Sequence, residues 1–161
     1  MQQLSTKYNT LPGDAYIGRI YAVTTSNGTT FPNNTFYFQF YPEWPASTTD
    51  STTIALNPYE VRILDITVTA TNSYVVATPS YVVWKGSYVV ATGSTAATVT
   101  VTPISAFAVV ASANSMSSTM STAPSVVAYG AGNGFRLEGN TGSGASVSWI
   151  VDMQYSVIST S

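Results

Sequence analysis

The side chains with the widest scope for chemistry are seven carboxylates, because the chain contains neither histidine nor cysteine. Without those two residue types, Ser-His-Asp and Cys-His nucleophiles and the usual zinc sites are excluded. Glycoside hydrolysis needs two carboxyl groups about 5–9.5 Å apart, and Asp65 and Asp152 meet only if their strands are neighbours. Solvated or arginine-paired surface carboxylates are the commoner arrangement. We therefore predict that the chain is not an enzyme, with no catalytic residue, no metal site and no cofactor.

Four aromatic residues form a second candidate site: Tyr41, Trp44, Tyr81 and Trp84. Aromatic side chains with a polar tip suit half-wet surfaces on which a ligand can stack. Packing in the core or between sheets is the competing interpretation of the same residues. We assign the four to ligand binding only in an alternative function, that of a glycan-binding module.

The segment that would position these residues most clearly is the last one, Ser146 to Ile158. Apolar and polar residues alternate along it, with Ile150 as the one apolar residue in the polar row. Side chains alternate between the two faces of a strand, so this pattern predicts a long strand with one buried face. Its apolar row is Val147, Trp149, Val151, Met153, Tyr155 and Val157.

Other segments also have the residue pattern of strands. The predicted strands are residues 15–25, 35–41, 59–70, 97–102, 104–111, 126–129 and 135–138. The mostly apolar residues 104–111 are typical of a strand that is buried on both faces. Asn27-Gly28 predicts a hairpin between the first two strands. The glycine-containing residues 140–144 predict another hairpin, from residues 135–138 to the terminal strand.

A sevenfold spacing is visible in the repeat YVVATPS, YVVWKGS, YVVATGS over residues 74–94. Val-Val pairs with a proline or glycine in every unit favour strands interrupted by turns. We predict a meander with turns at Thr78-Pro79 and Lys85-Gly86. If the chain stays extended instead, the odd period moves equivalent residues to opposite faces from one unit to the next.

These patterns predict an all-β protein, an antiparallel β-sandwich of eight to ten strands with the topology of a single jelly roll. An immunoglobulin-like sandwich has similar strand counts and stays open as an alternative. Residues 15–161 form the predicted single domain. Residues 1–14 are polar and end in a turn signal, which predicts an extended N-terminal arm or, alternatively, a frayed terminus.

Charged residues make up 7% of the chain, against about 25% in ordinary soluble proteins. Five basic residues are spread along the sequence, so no cluster neutralises a row of phosphates, and we expect no direct contact with nucleic acid. The first residues lack the apolar core of a secretory signal, and no apolar stretch reaches the length of a membrane span. We therefore expect synthesis in a host cytoplasm without a signal peptide.

In general character, the Val-, Thr- and Tyr-rich strands, the polar arm and the long closing strand 146–158 resemble small single jelly-roll proteins of icosahedral virus shells. The resemblance implies a capsid, vertex, turret or decoration protein that is located in the virion. It implies copies of the chain and other virion proteins as partners. A glycan-binding or adhesive module of a tail fibre or surface filament, with a host glycan as partner, is the alternative. Residues 1–14 depart from the basic arm of genome-contacting capsid proteins, since Lys7 is their single basic residue.

Overall fold

The computed structural model describes residues 3–8, 15–27, 35–38, 52–72, 80–113, 122–140 and 146–159. Within these ranges the chain forms ten strands, and the one helical element there is a 3-10 turn, Gly130–Gly132. The strands are β1 (Gln3–Tyr8), β2 (Ala15–Asn27), β3 (Thr35–Tyr37), β4 (Ile54–Ala55), β5 (Glu60–Asn72), β6 (Tyr81–Thr92), β7 (Val99–Ala113), β8 (Ser125–Tyr129), β9 (Gly134–Asn140) and β10 (Ser146–Ser159).

In this part of the chain the strands form two antiparallel sheets. The larger sheet has six strands in the order β1-β2-β10-β5-β6-β7. In the smaller sheet, β3, β4 and β8 all pair with β9. The two sheets pack face to face around one apolar core, which confirms the predicted all-β sandwich.

β10 is the central element of the larger sheet, because it pairs with β2 on one side and β5 on the other. Alternate residues from Trp149 to Val157 are buried, and Ile150 lies on the exposed face with Gln154. The predicted long strand and the orientation of its two faces are therefore confirmed. From Trp149 to Val157 the apolar row provides much of the core, because period-two alternation places these side chains on one side. The side chain of Val147 lies outside the described part.

The core lies between this row and the smaller sheet. Phe38, which follows β3, meets Trp149 edge to face, with ring centroids 5.5 Å apart and an interplanar angle of 79°. Phe135 and Leu137 of β9 are fully buried in the same apolar cluster. Offset and edge-to-face ring pairs add to the stabilisation that burial of their area provides.

The order β10-β5-β6-β7 is a Greek key, in which a fourth strand returns by a long connection to lie beside the first of three consecutive strands. Here the return passes through β8 and β9 in the other sheet. β5, β6 and β7 stay in one sheet as a meander. A jelly roll contains two Greek keys, and in the larger sheet the described strands show this one.

Both hairpins predicted from turn sequences are wrong. β2 pairs with β1 and β10, whereas β3 pairs with β9 in the other sheet. β9 and β10 likewise lie in different sheets. A glycine-rich or Asn-Gly sequence favours a change of chain direction, but pairing between strands depends on which sheet buries each apolar face. Residues 28–34 and 141–145, where the turns were expected, lie outside the described residues.

The predicted turn at Lys85-Gly86 is also wrong, because β6 continues through it from Tyr81 to Thr92. The extended alternative holds instead: Tyr81 is exposed and Tyr88, one repeat later, is buried. Gly86 points to the core, where a Cβ atom would lie 2.9 Å from Phe107 Cδ1. The Phe107 ring therefore occupies the space that a side chain at position 86 would take. Thr78-Pro79 lies outside the described residues.

The prediction that residues 104–111 form a strand buried on both faces is half right. They belong to β7, which among the described strands pairs with β6 alone and forms an edge of the larger sheet. Ile104, Val109 and Val110 are exposed, so the described part of the chain does not cover β7 on both faces. An apolar run identifies a strand but does not show how many neighbours cover it. At the opposite edge, β1 lies within the residues predicted as an N-terminal arm and pairs with β2.

Candidate functional site

The four aromatic residues predicted to bind a ligand do not form one described surface. Trp84 is 2% exposed and points to the core, whereas Tyr81, three residues earlier on β6, is 37% exposed on the opposite side. A buried indole is not available for stacking on a sugar, so the structure places Trp84 in the core. Tyr41 and Trp44 lie outside the described residues.

A polar surface instead lies on the outer face of the larger sheet, defined here as the side of β5, β6 and β10 that points away from the core. Two rows of residues cross these strands in register. The first row is Gln154, Asp65 and Ser87, and the second is Asp152, Thr67 and Lys85. β7 extends the first row with Ser105.

Between these rows runs a groove of about 350 Å³, which we call the polar groove. It is lined by Asp65, Ile66, Thr67, Lys85, Gly86, Ser87, Ser105, Asp152 and Gln154. Ser87 Oγ donates a hydrogen bond of 2.7 Å to Asp65 Oδ1. Two carboxylates and one ammonium group therefore share a surface of mixed charge.

Asp65 and Asp152 are brought together as the sequence allowed, because β5 and β10 are neighbours. They occupy diagonal positions, since Asp65 is in register with Gln154 and Asp152 with Thr67. Diagonal neighbours across adjacent strands lie about 7–8 Å apart. A glycoside hydrolase also needs a general acid that is kept protonated in a sheltered pocket. Asp65 is exposed on an open sheet face.

The larger sheet also carries exposed apolar side chains. Among the described residues nine large hydrophobic side chains are exposed, and seven of the nine belong to the larger sheet. The seven are Ile63, Tyr81, Ile104, Val109, Val110, Ile150 and Ile158. Four of them, Ile63, Tyr81, Ile150 and Ile158, lie on the outer face. Val109 is in register with the buried Trp84 and so lies on the core-facing side of β7. A concentration of exposed apolar side chains on one sheet is typical of a protein interface.

The edge strand β7 carries irregularities that expose two of these residues further. Trp84 is in register with Val109 and Val83 with Ala111, so Val110 is an extra residue. Ile104 is a second extra residue, because Ser87 is in register with Ser105 and Tyr88 with Pro103. Bulges re-aim side chains and hinder edge-to-edge pairing with another sheet. The exposed β7 residues are thus better suited to contacts through side chains than to extension of the sheet.

A second cluster of ionisable groups lies buried at one end of β5. Arg62 Nε donates to Glu60 Oε1, and Glu60 is 1% exposed. The backbone and side-chain amides of Asn57 donate to Glu60 Oε2 at 3.0 and 3.1 Å. The Glu60 N–H donates to Thr92 Oγ1 at 2.9 Å. These bonds fasten the start of β5 to the end of β6, which is a structural role.

One phenol in the core, that of Tyr88, has a raised pKa. Burial raises the pKa of Tyr88 above its usual value of 10.0, and a hydrogen bond from the Phe107 N–H lowers it in part. That bond, from Phe107 N to Tyr88 Oη, is 3.2 Å long. The two rings pack against each other with centroids 5.3 Å apart. Tyr88 is therefore part of the packing that accommodates Gly86.

Sequence reasoning missed the polar groove because it treated Lys85 as part of a turn. The signal that points to it is the two-residue alternation of an extended strand, which places Lys85 and Ser87 on the same face as Tyr81. The exposed apolar residues of β7 had no such signal, since an edge strand and a central strand have similar compositions.

Comparison with protein-family models, with curated proteins and with solved structures found no match. Among the described residues, no helix has the length and hydropathy to cross a bilayer. The same residues contain no group of three or more acidic side chains arranged to hold a metal ion.

Proposed function

We propose that the chain is a structural component of a viral particle, a capsid, vertex or decoration protein that acts by self-assembly and contacts between subunits. The observation that carries the proposal is the concentration of exposed apolar side chains on the larger sheet, on β5, β6, β7 and β10. Burial of such a surface against a neighbour is favourable in proportion to the apolar area that is removed from water.

The scarcity of charge supports the same function. A protein that works alone in solution usually keeps many charged residues on its surface, whereas this chain has 7%. Desolvation of ions is costly when subunits meet. A surface of Ser, Thr and aliphatic residues avoids most of that cost, so the composition fits a protein whose surface is largely covered by other subunits.

Two measurements test the proposal. Sedimentation velocity over a wide concentration range should show self-association, and an antibody against the chain should label purified virus particles. Monomer at every concentration, together with the absence of label on particles, would contradict the proposed function.

A pair of matched variants connects self-association to the larger sheet. Ile150→Ser removes an apolar side chain that is 51% exposed on the outer face, and we expect weaker association. Tyr59→Ser removes a side chain of similar exposure, 48%, that lies just before β5, and we expect no change. Equal effects of the two substitutions would mean that the larger sheet is not the contact surface.

A glycan-binding module is the second candidate function, and one observation favours it. Tyr81 is exposed on the same face as the polar groove, where Gln154, Ser87 and Asp65 offer donors and acceptors for hydroxyl groups. Calorimetric titration with a panel of oligosaccharides tests this function. Binding that Tyr81→Ala abolishes would support it, and no binding to any member of the panel would reject it.

A further inference from the structure

We propose that two copies of the chain pack outer face to outer face about a twofold axis that runs along β5. This inference rests on the proposed function and specifies which surfaces meet. It starts from the second row of the polar groove, in which Thr67 of β5 is in register with Asp152 on one side and Lys85 on the other. A negative and a positive side chain thus flank the central strand at the same level.

Rotation by 180° about an axis along β5 leaves each residue at the same level along the strands. It exchanges the β10 side of the face with the β6 side. Lys85 of one copy then faces the partner's Asp152, and by symmetry Asp152 faces the partner's Lys85. Stacked sheets lie about 10 Å apart, a gap that a lysine and an aspartate side chain bridge together. The face is therefore complementary in charge to itself under this operation.

The same operation matches apolar residues. Ile150 and Val83 share a row across β10, β5 and β6, because both are in register with Thr69. Exchange of the two sides therefore places Ile150 opposite the partner's Val83. In another row, Ile158 and Ala91 are both in register with Val61, so Ile158 faces the partner's Ala91. Ile63 lies on the axis strand and meets its own symmetry mate.

The alternative twofold axis, in the plane of the face but perpendicular to the strands, does not match charges in this way. This axis places each strand opposite the same strand of the partner, with the two running in opposite directions. An axis between the two rows then sets Asp152 opposite the partner's Gln154 and Lys85 opposite the partner's Ser87. Lys85 then lies diagonally opposite the partner's Lys85, and Asp152 lies diagonally opposite the partner's Asp152. The axis along β5 is therefore the favoured one.

The available area is sufficient for a stable dimer. Strands of 13 residues are about 44 Å long, and five strands about 4.8 Å apart give a face on the order of 1,000 Å². A standard interface buries about 800 Å² per partner.

Asp65 makes the proposed axis testable, because it lies on β5 and faces its own symmetry mate. Repulsion between these two carboxylates opposes association. Asp65→Asn should therefore strengthen the dimer, whereas the same chemical change at Asp152 should weaken it, since Asp152 faces the partner's Lys85. The two substitutions control for each other because only the position differs.

Charge exchange gives the decisive experiment, with the dimer dissociation constant measured by sedimentation equilibrium. Lys85→Asp and Asp152→Lys each place like charges opposite one another twice, and we expect each to weaken the dimer about tenfold or more. An equimolar mixture of the two variants should associate as strongly as the original chain. Restored association in the mixture shows that both single variants are folded, and the double variant Lys85→Asp/Asp152→Lys should also associate with itself.

The outcomes separate this inference from the proposed function. A dimer whose dissociation constant is the same in all the charge variants would overturn the axis along β5 and leave self-assembly standing. A monomer at every concentration would overturn both. Association only with a different virion protein, or only with an oligosaccharide, would overturn a second copy as the occupant of the face.

Discussion

The indole rings of Trp84 and Trp149 stack in the core with centroids 6.0 Å apart and planes 14° from parallel. The two residues belong to β6 and β10, which β5 separates. Trp149 is in register with Ala70 of β5, and Trp84 with Val68. Contact across an intervening strand is possible because Ala70 has a small side chain. The pair thus connects three central strands of the larger sheet.

Loss of this stacked pair should cost much of the stability of the fold. Trp84→Ala should lower the free energy of unfolding by about 3–5 kcal/mol, the usual range for truncation of a large buried aromatic residue. Tyr81→Ala, on the exposed side of the same strand, should change it by less than about 0.5 kcal/mol. Urea unfolding of both variants measures the difference. Similar values for the two would contradict the assignment of Trp84 to the core.

Residue patterns predicted the faces of strands well and their partners poorly. The alternation along β10 correctly identified its buried row, because the two-residue period is a local property. The partners of β3 and β9 depend on which sheet covers each strand, and a turn sequence contains no such information. The exposed run in β7 was missed for the same reason, since burial depends on neighbours that are distant in sequence.

The candidate site was partly predictable. Asp65 and Asp152 were recognised as residues that meet if their strands are adjacent, and β5 and β10 are adjacent. Lys85 was not predicted to lie beside these two residues, because the dipeptide Lys85-Gly86 favours a turn when it is considered alone. The relevant contact lies outside the local sequence: Phe107 of β7 fills the space beside Gly86 in the continuous strand β6.

Because Gly86 packs closely against Phe107, we expect a single methyl group added at position 86 to destabilise the fold. In Gly86→Ala the new Cβ would lie 2.9 Å from Phe107 Cδ1 and 3.0 Å from Tyr88 Cε2. Displacement of packed rings should lower the free energy of unfolding by about 1–3 kcal/mol. Gly93→Ala is the matched control, because its nearest neighbour, Thr98 Cβ, is 3.7 Å away.

A double variant shows whether the ring causes that loss. Phe107→Ala removes the crowding Cγ and Cδ1 atoms, so Gly86→Ala should cost less in the Phe107→Ala background than alone. The coupling free energy from the four unfolding measurements gives the interaction directly. Independent, additive effects would mean that Phe107 does not limit the space at Gly86.

The buried ion pair of Glu60 and Arg62 predicts an asymmetric response to substitution. Arg62→Met leaves the Glu60 carboxylate buried without its cation and should cost about 3–5 kcal/mol of unfolding free energy. Glu60→Gln added to Arg62→Met removes the isolated charge, so the double variant should be more stable than Arg62→Met alone. Chemical denaturation at neutral pH compares them. A double variant that is less stable than the single one would show that Asn57 satisfies the Glu60 carboxylate without Arg62.

Tyr88 predicts a loss of stability at alkaline pH. Its pKa in the folded protein is raised above 10.0 because burial disfavours the phenolate. As the pH rises past 10, the unfolded chain releases the Tyr88 proton before the folded chain does, so the unfolded state is favoured. The stabilising contribution is complete below about pH 10 and disappears as the pH passes the pKa of the folded state. Thermal unfolding between pH 8 and 11 should therefore show a smaller alkaline decrease in Tyr88→Phe than in the original chain. Parallel curves for the two proteins would mean that ionisation of Tyr88 is not linked to unfolding.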